Sequence, residues 1–182
     1  GNNNGKIITV YSPKGGSGST TIVTNLAISL KKENSSVIIV DGNMQFGDVA
    51  VFMNEQVKNS ILDLAPRVDA LDPEILNDVA ITHAASGLAL LAAPPHLEIP
   101  DPVSEEQFSK ILKFLRHFYD YILIDTPSYL SGTALVAVDI CDLIILVATQ
   151  EIPSVKNIHM FLTLTDASQI SRERILFVLN RY

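Results

Sequence analysis

Residues 6–21 read Lys6-Ile7-Ile8-Thr9-Val10-Tyr11-Ser12-Pro13-Lys14-Gly15-Gly16-Ser17-Gly18-Ser19-Thr20-Thr21. The stretch 6–11 is mostly apolar and rich in β-branched residues, which predicts a strand. A glycine-rich loop occupies 12–19. Residues 20–32 then carry Ile22, Val23, Leu26, Ala27 and Leu30 at helical spacing. Strand, glycine loop and helix in that order make the setting a phosphate-binding loop requires. Glycine lets backbone N–H groups come close to an anion and adopt positive φ. The helix that follows offers unpaired N–H groups and the positive end of its dipole. Thr20 is placed to offer its hydroxyl to Mg2+. The competing reading is a glycine-rich turn with no ligand, and two acids in register with the loop weigh against it.

The loop departs from the ordinary phosphate-loop pattern in one place. Lysine normally precedes the Ser/Thr that meets the metal, but here that position is Ser19 and the loop's lysine is Lys14. The backbone cradle does not depend on that side chain, so phosphate binding is expected and fast hydrolysis is not. A dinucleotide fingerprint also comes to mind, because Gly16-x-Gly18 opens a helix and Asp41 lies about 20 residues on. Thr21 at the third glycine position and Pro13-Lys14 before the loop fit it poorly.

Working outward, 37–40 (VIIV) reads as a strand buried on both faces. Residues 41–48 read as irregular, with a helical stretch around 61–64. A helix is expected over 73–81, with Asp72 as N-cap and Glu74 in its first turn. A strand over 88–92 stops at Pro94-Pro95. An amphipathic helix is expected over 103–118, opened by a Ser104/Gln107 capping box and burying Phe108, Ile111, Leu112, Leu115 and Phe118. Strands at 121–124, 143–148 and 175–179 alternate with helices at 133–140 and 154–166. This alternation predicts an α/β fold: a doubly wound, mostly parallel sheet with helices on both faces. Residues 6–182 form one nucleotide-binding domain, and the polar start 1–5 reads as a linker. A chain that stops directly after a strand is expected to be a core that continues in the natural protein.

Asp41 ends the strand 37–40 and Asp125 ends the strand 121–124. Both carboxylates are expected at the carboxyl edge of the sheet, where open α/β sheets bind ligands. Both suit Mg2+, which takes oxygen ligands and keeps its waters. The alternative is that these acids cap neighbouring helices. Two residues after Asp41 stands Asn43, which can orient a water but cannot take its proton.

Bulk properties narrow the function further. The chain has 182 residues, 47% of them hydrophobic, enough for one domain with a sizeable core. Its net charge of -7 and pI near 4.9 argue against DNA or an anionic membrane as the main partner. Cys141 is the single cysteine, so no intrachain disulfide forms, and a reducing cytosol is the expected setting. No apolar run reaches the roughly 18 residues that span a bilayer. His83, His96, His117 and His159 are scattered without metal-ligand spacing.

These residues carry a family resemblance over nearly the whole chain. The loop resembles the deviant Walker A motif of the MinD/ParA group, whose signature lysine matches Lys14. Val40-Asp41-Gly42-Asn43-Met44-Gln45-Phe46-Gly47-Asp48-Val49-Ala50 is similar to the CpaE/TadZ branch, which works in Tad (Flp) pilus assembly. Asp125-Thr126-Pro127 and Asn180-Arg181 follow in the family's order. The resemblance implies a P-loop NTPase fold with ATP and Mg2+ as cofactors. Lys14 would reach the phosphates across an ATP-sandwich homodimer. Gly15, Gly16, Ser17, Gly18, Ser19, Thr20 and Thr21 would wrap them. Asp41 and Asp125 would join Thr20 in serving Mg2+, and Asn180 would contact adenine.

Ser19 in place of the second loop lysine and Asn43 in place of the water-positioning acid imply an ATPase of low activity. The implied partners are ATP or ADP, a second copy and Tad pilus proteins. The membrane would be met only indirectly, at its inner face or at a cell pole. Four functions compete: a nucleotide-dependent switch or scaffold, an active MinD-like positioning ATPase, a DNA-partitioning ATPase, and a bacterial P-loop tyrosine kinase. The acidic charge disfavours DNA partitioning. The kinases carry a tyrosine-rich tail, whereas this chain ends with Tyr182 alone.

Overall fold

The computed structural model describes residues 4–13, 18–45, 47–95, 102–150 and 152–180, the side chains of 152–155 excepted. In chain order, β1 (Lys6–Tyr11) leads to α1 (Ser19–Lys32), β2 (Val37–Asp41) and the short α2 (Val49–Phe52). Next come α3 (Pro73–Val79), β3 (Ile81–Thr82), β4 (Ala89–Leu91) and α4 (Glu105–Leu115). The chain ends with β5 (Tyr121–Asp125), α5 (Gly132–Ile140), β6 (Leu143–Ala148), α6 (Ile152–Ala167) and β7 (Ile175–Leu179).

The strands form one sheet in the order β3-β4-β2-β5-β1-β6-β7. Every pairing is parallel except β3 on β4, which is antiparallel. Successive side chains of a strand point to opposite faces. Ile38, Val40, Ile122, Ile124, Ile144 and Leu146 therefore meet α3, α4, α5 and α6 on one side. Val37, Ile39, Leu123, Ile145 and Val147 meet α1 and α2 on the other. This is the doubly wound arrangement the alternating pattern predicts, with β5 inserted between β1 and β2. The sheet's direction of growth reverses at β1, and ligand crevices open at such switch points.

Local chemistry explains most of the boundaries. The Ser104 hydroxyl accepts from Gln107 N at 3.1 Å, and Ser104 N donates to Gln107 Oε1 at 2.9 Å, so the expected capping box opens α4. Ser104→Ala is expected to cost about 1 kcal/mol, read as a shift in the urea midpoint at constant slope. An unchanged midpoint would show that packing alone sets this helix start. Asp72 Oδ1 accepts from Ile75 N at 2.9 Å and caps α3 as expected.

Four readings need correction. The helical stretch around 61–64 is two 3-10 turns, Ile61–Asp63 and Ala65–Arg67. Pro66 lacks an N–H and cannot continue a helix begun upstream. α2 falls in a segment with no assignment from sequence, and the helix expected over 73–81 ends at Val79, with Ile81 in the strand β3 instead, because four and two residues are too few to show a period. Phe118 is 41% exposed, since α4 ends at Leu115 and Phe118 sits in the turn beyond it. The edge strand β7 leaves Leu176, Phe177 and Leu179 half exposed. Among the described residues, no helix is long and apolar enough to cross a membrane.

Candidate functional site

Three strands deliver the site. β1 ends at Tyr11, and α1 begins at Ser19 after the glycine loop. Asp41 and Asp125 are register partners at the ends of the neighbouring strands β2 and β5, and Asp125 also pairs with Val10 of β1. The two acids predicted from sequence are thus side by side beside the start of α1. Gly42 N donates to Asp125 O at 2.7 Å, and a Cβ at Gly42 would stand 2.8 Å from that oxygen. Only glycine permits so close an approach. Thr126 closes the other side, its N–H and hydroxyl both donating to Val10 O at 3.1 and 2.8 Å.

Lys14, Gly15, Gly16 and Ser17 lie outside the described residues, so the fold places only the two ends of the loop. At its far end Gly18 has φ 84° and precedes the first turn of α1. That left-handed conformation suits glycine. A Cβ there would lie within van der Waals overlap of the Asn180 amide nitrogen. Asn180, delivered by the end of β7 through a backbone bond from its N to Ala148 O at 2.8 Å, is thereby brought to the loop. Thr20 sits in the first turn of α1 and its hydroxyl donates to Asp125 Oδ2 at 2.7 Å. Ser19 also hydrogen-bonds the Asp125 carboxylate through its side chain. Thr21, one residue on, is exposed and its carbonyl accepts from the Thr24 hydroxyl.

The two acids are held differently. Asp41, 2% exposed, accepts from Asn43 N on Oδ1 at 3.1 Å and from Val49 N on Oδ2 at 3.2 Å. Val49 is the first residue of α2, so Asp41 does cap a neighbouring helix, the alternative its position allowed. Asp125 is 5% exposed and its Oδ1 is buried without a hydrogen-bond partner among the described residues. Burial pushes the Asp41 carboxyl up to about 7, the Asp125 charge adding to it, against the two N–H bonds. Burial likewise pushes Asp125 up to about 6, against the hydroxyls of Thr20 and Ser19, while the Asp48 charge raises it further. A buried carboxylate oxygen with no donor, beside a threonine hydroxyl at a helix N-terminus, fits a hydrated divalent cation. Thr20 and Asp125 would hold Mg2+, with Asp41 behind them, and the ion would neutralise charge on the phosphates.

Sequence reasoning gave no role to Asp48, although it lies within the motif quoted for the family likeness. Its charge acts on both Asp41 and Asp125. It stands seven positions after Asp41, and no periodicity in the sequence shows that it returns to that strand end.

A parallel sheet with a glycine loop from β1 into α1 and acids at the next two strand ends defines a nucleotide-binding α/β protein of the P-loop type. Comparison with known proteins agrees. Residues 5–176 match the AAA domain family. The septum site-determining protein MinD of Thermotoga maritima is 24% identical over 180 residues, covering 98% of this chain and 65% of that protein. The structure of a ParA family ATPase from Chlorobium tepidum shares the fold, with a TM-score of 0.89 at 24% identity over 97% of this chain and 74% of that one. MinD of Pyrococcus horikoshii, solved with Mg-ADP, superposes with a TM-score of 0.80 at 28% identity over 97% of this chain and 70% of that chain. The chain belongs to the AAA domain family and, within it, to the MinD/ParA group of P-loop proteins. It spans less than two thirds of the length of the curated relatives it matches first, 58% of one and 65% of another.

Proposed function

We propose that this chain is the nucleotide-binding core of a cytoplasmic MinD/ParA-like switch or scaffold that dimerises around MgATP, hydrolyses it slowly or not at all, and serves Tad (Flp) pilus assembly. The observation that carries the nucleotide reading is the buried Asp125 Oδ1, without a hydrogen-bond partner among the described residues, beside the Thr20 hydroxyl at the head of α1. The helix N-terminus attracts the phosphates and the cation balances them. Gly18, Ser19 and Thr20 would line the phosphates with the loop residues Lys14, Gly15, Gly16 and Ser17, and Thr21 would follow them. Asn180 would meet the base. The Mg-ADP in the P. horikoshii relative supports the same ligand here.

Slow turnover follows from the side chains. Ser19 brings no charge to the phosphates. Asn43 can hold a water but accepts no proton from it. The pilus role rests on the likeness of residues 40–50 to the CpaE/TadZ branch. The alternative is an active positioning ATPase, in which Lys14 from a partner copy compensates for Ser19.

Calorimetric titration with MgATP tests the core of this reading. Micromolar binding is expected, and no heat from either ATP or ADP would sink it. Phosphate release near background is expected as well. Substantial release that Lys14→Ala abolishes would replace the switch with the active ATPase. Deleting the gene in the source organism is expected to remove surface Tad pili, and normal piliation would refute the pilus assignment.

A further inference from the structure

The loop between β2 and α2 is fastened in an unusual way. Asp48 occupies the N-cap position of α2, where an aspartate ordinarily accepts from the first turn of its own helix. Its side chain makes no such bond. The N–H of Val49 goes instead to Asp41 Oδ2. Gly47 crosses directly over the same oxygen, since a Cβ there would stand 2.6 Å from it and 2.5 Å from the Ala93 methyl. Asn43 N ties the other end of the loop to Asp41 Oδ1. Asp41 is therefore a clasp: its two carboxylate oxygens gather residues 43 and 49 and leave it 2% exposed.

The consequence falls on Asp48. With its capping task taken by Asp41, it keeps an exposed carboxylate, and its chain neighbours Gly47 and Val49 both lie against Asp41 Oδ2, beside the register partner Asp125. Asp125 in turn carries the Oδ1 that is buried and has no hydrogen-bond partner among the described residues. Asn43 supplies no charge on this side of the site.

Resting on the phosphate-site reading above, we infer that Asp48 is the third carboxylate of that site, held by the Asp41 clasp where it binds the water shell of a divalent cation carried in with the nucleotide. Mg2+ keeps several waters when bound, and a carboxylate that accepts from them strengthens its hold without a direct bond. The loop thus places at position 48 the charge that the side chain at 43 lacks. Asp48 is a positioning residue for the ion's water shell, and Asp41 positions Asp48.

The test is the coupling between cation and nucleotide, read without turnover. ADP is titrated calorimetrically into the wild-type chain and into Asp48→Asn, once with excess MgCl2 and once with EDTA. Mg2+ is expected to tighten ADP binding to the wild type. In Asp48→Asn that enhancement is expected to fall about fivefold. The EDTA affinity is expected to stay equal or to rise, because a negative charge near the phosphates is gone. Since Asp48 is exposed, the variant keeps the fold, and matching near-UV circular dichroism confirms it. An enhancement in Asp48→Asn equal to that of the wild type overturns the role of Asp48 while leaving the nucleotide site intact. Equal weakening with and without Mg2+ also overturns it, since that pattern marks a purely structural residue. No ADP heat from the wild type under either condition overturns the phosphate-site reading, and the inference with it.

Discussion

Asp125→Asn is expected to make the nucleotide-free protein more stable at pH 8 and, at the same time, to abolish the effect of Mg2+ on nucleotide binding. The first half follows from burial. Asp125 titrates near 6 in the folded chain, above the ordinary 3.8 of an unfolded aspartate. Between those values the native state holds more protons than the unfolded one, so stability falls as pH rises. The stability is fully present below pH 3.8 and is lost as the pH passes through about 6. Asp41 extends the same fall to about 7. Asparagine keeps the shape and removes the charge. The gain at pH 8 is expected to be roughly 2 kcal/mol, below the ceiling of about 3 kcal/mol that a two-unit shift allows.

The second half follows from Oδ1, which has no hydrogen-bond partner among the described residues and whose charge an amide cannot replace in a cation ligand. The Mg2+ enhancement of ADP affinity is expected to fall by about a hundredfold, as befits loss of a charged ligand in a buried site. Urea melts at pH 5 and pH 8 with both proteins, followed by calorimetry, check the two halves separately. A variant less stable than the wild type at pH 8 would mean that Asp125 is satisfied in the folded state and stores no strain.

Phe108→Ala gives the second large effect, in the core. Phe108 is fully buried on α4 among Ile111, Leu112 and Leu115, against the sheet. Removing a buried phenyl ring costs about 3–5 kcal/mol through lost transfer energy and the cavity left behind. That is a large part of a typical domain stability of about 5–15 kcal/mol. Phe118→Ala is the internal control, because the sequence pattern puts both rings on one stripe. At 41% exposure Phe118 packs mainly on the Phe114 ring, with centroids 4.8 Å apart. Its loss is expected to cost about 1 kcal/mol. Urea midpoints at equal slope measure both. Similar costs for the two would refute this account of how α4 ends.

Those two phenylalanines show where pattern reading works and where it stops. The stripe Phe108, Ile111, Leu112 and Leu115 is written in a helical period, and burial follows it faithfully. Phe118 shares the period, but the helix ends before reaching it, and nothing in the spacing marks that end. Helix ends are decided by what the chain must do next, which here is to turn into β5.

The site divides in the same way. Asp41 and Asp125 were legible because each terminates a continuous apolar run, and a buried parallel strand can end in a carboxylate only at a polar crevice. Thr20 was legible from its place after the glycines. That Asp41 is a clasp and Asp125 an open acceptor was not legible, since both read alike in sequence. Asp48 was not legible beside them, because it stands in a loop that carries no period.

By itself the sequence determined the order of the longer strands and helices, the mostly parallel sheet and the edge at which the acids emerge. These are local matters of apolar period, glycine and caps, which neighbours in the chain decide. Only the tertiary structure decided which strands lie side by side, so that Asp41 faces Asp125 and Asn180 reaches Gly18 across the sheet. It also decided which carboxylate oxygens find N–H donors and which do not. Both are long-range facts: hydrogen bonds and charges act over a few ångströms in space, whatever the distance along the chain.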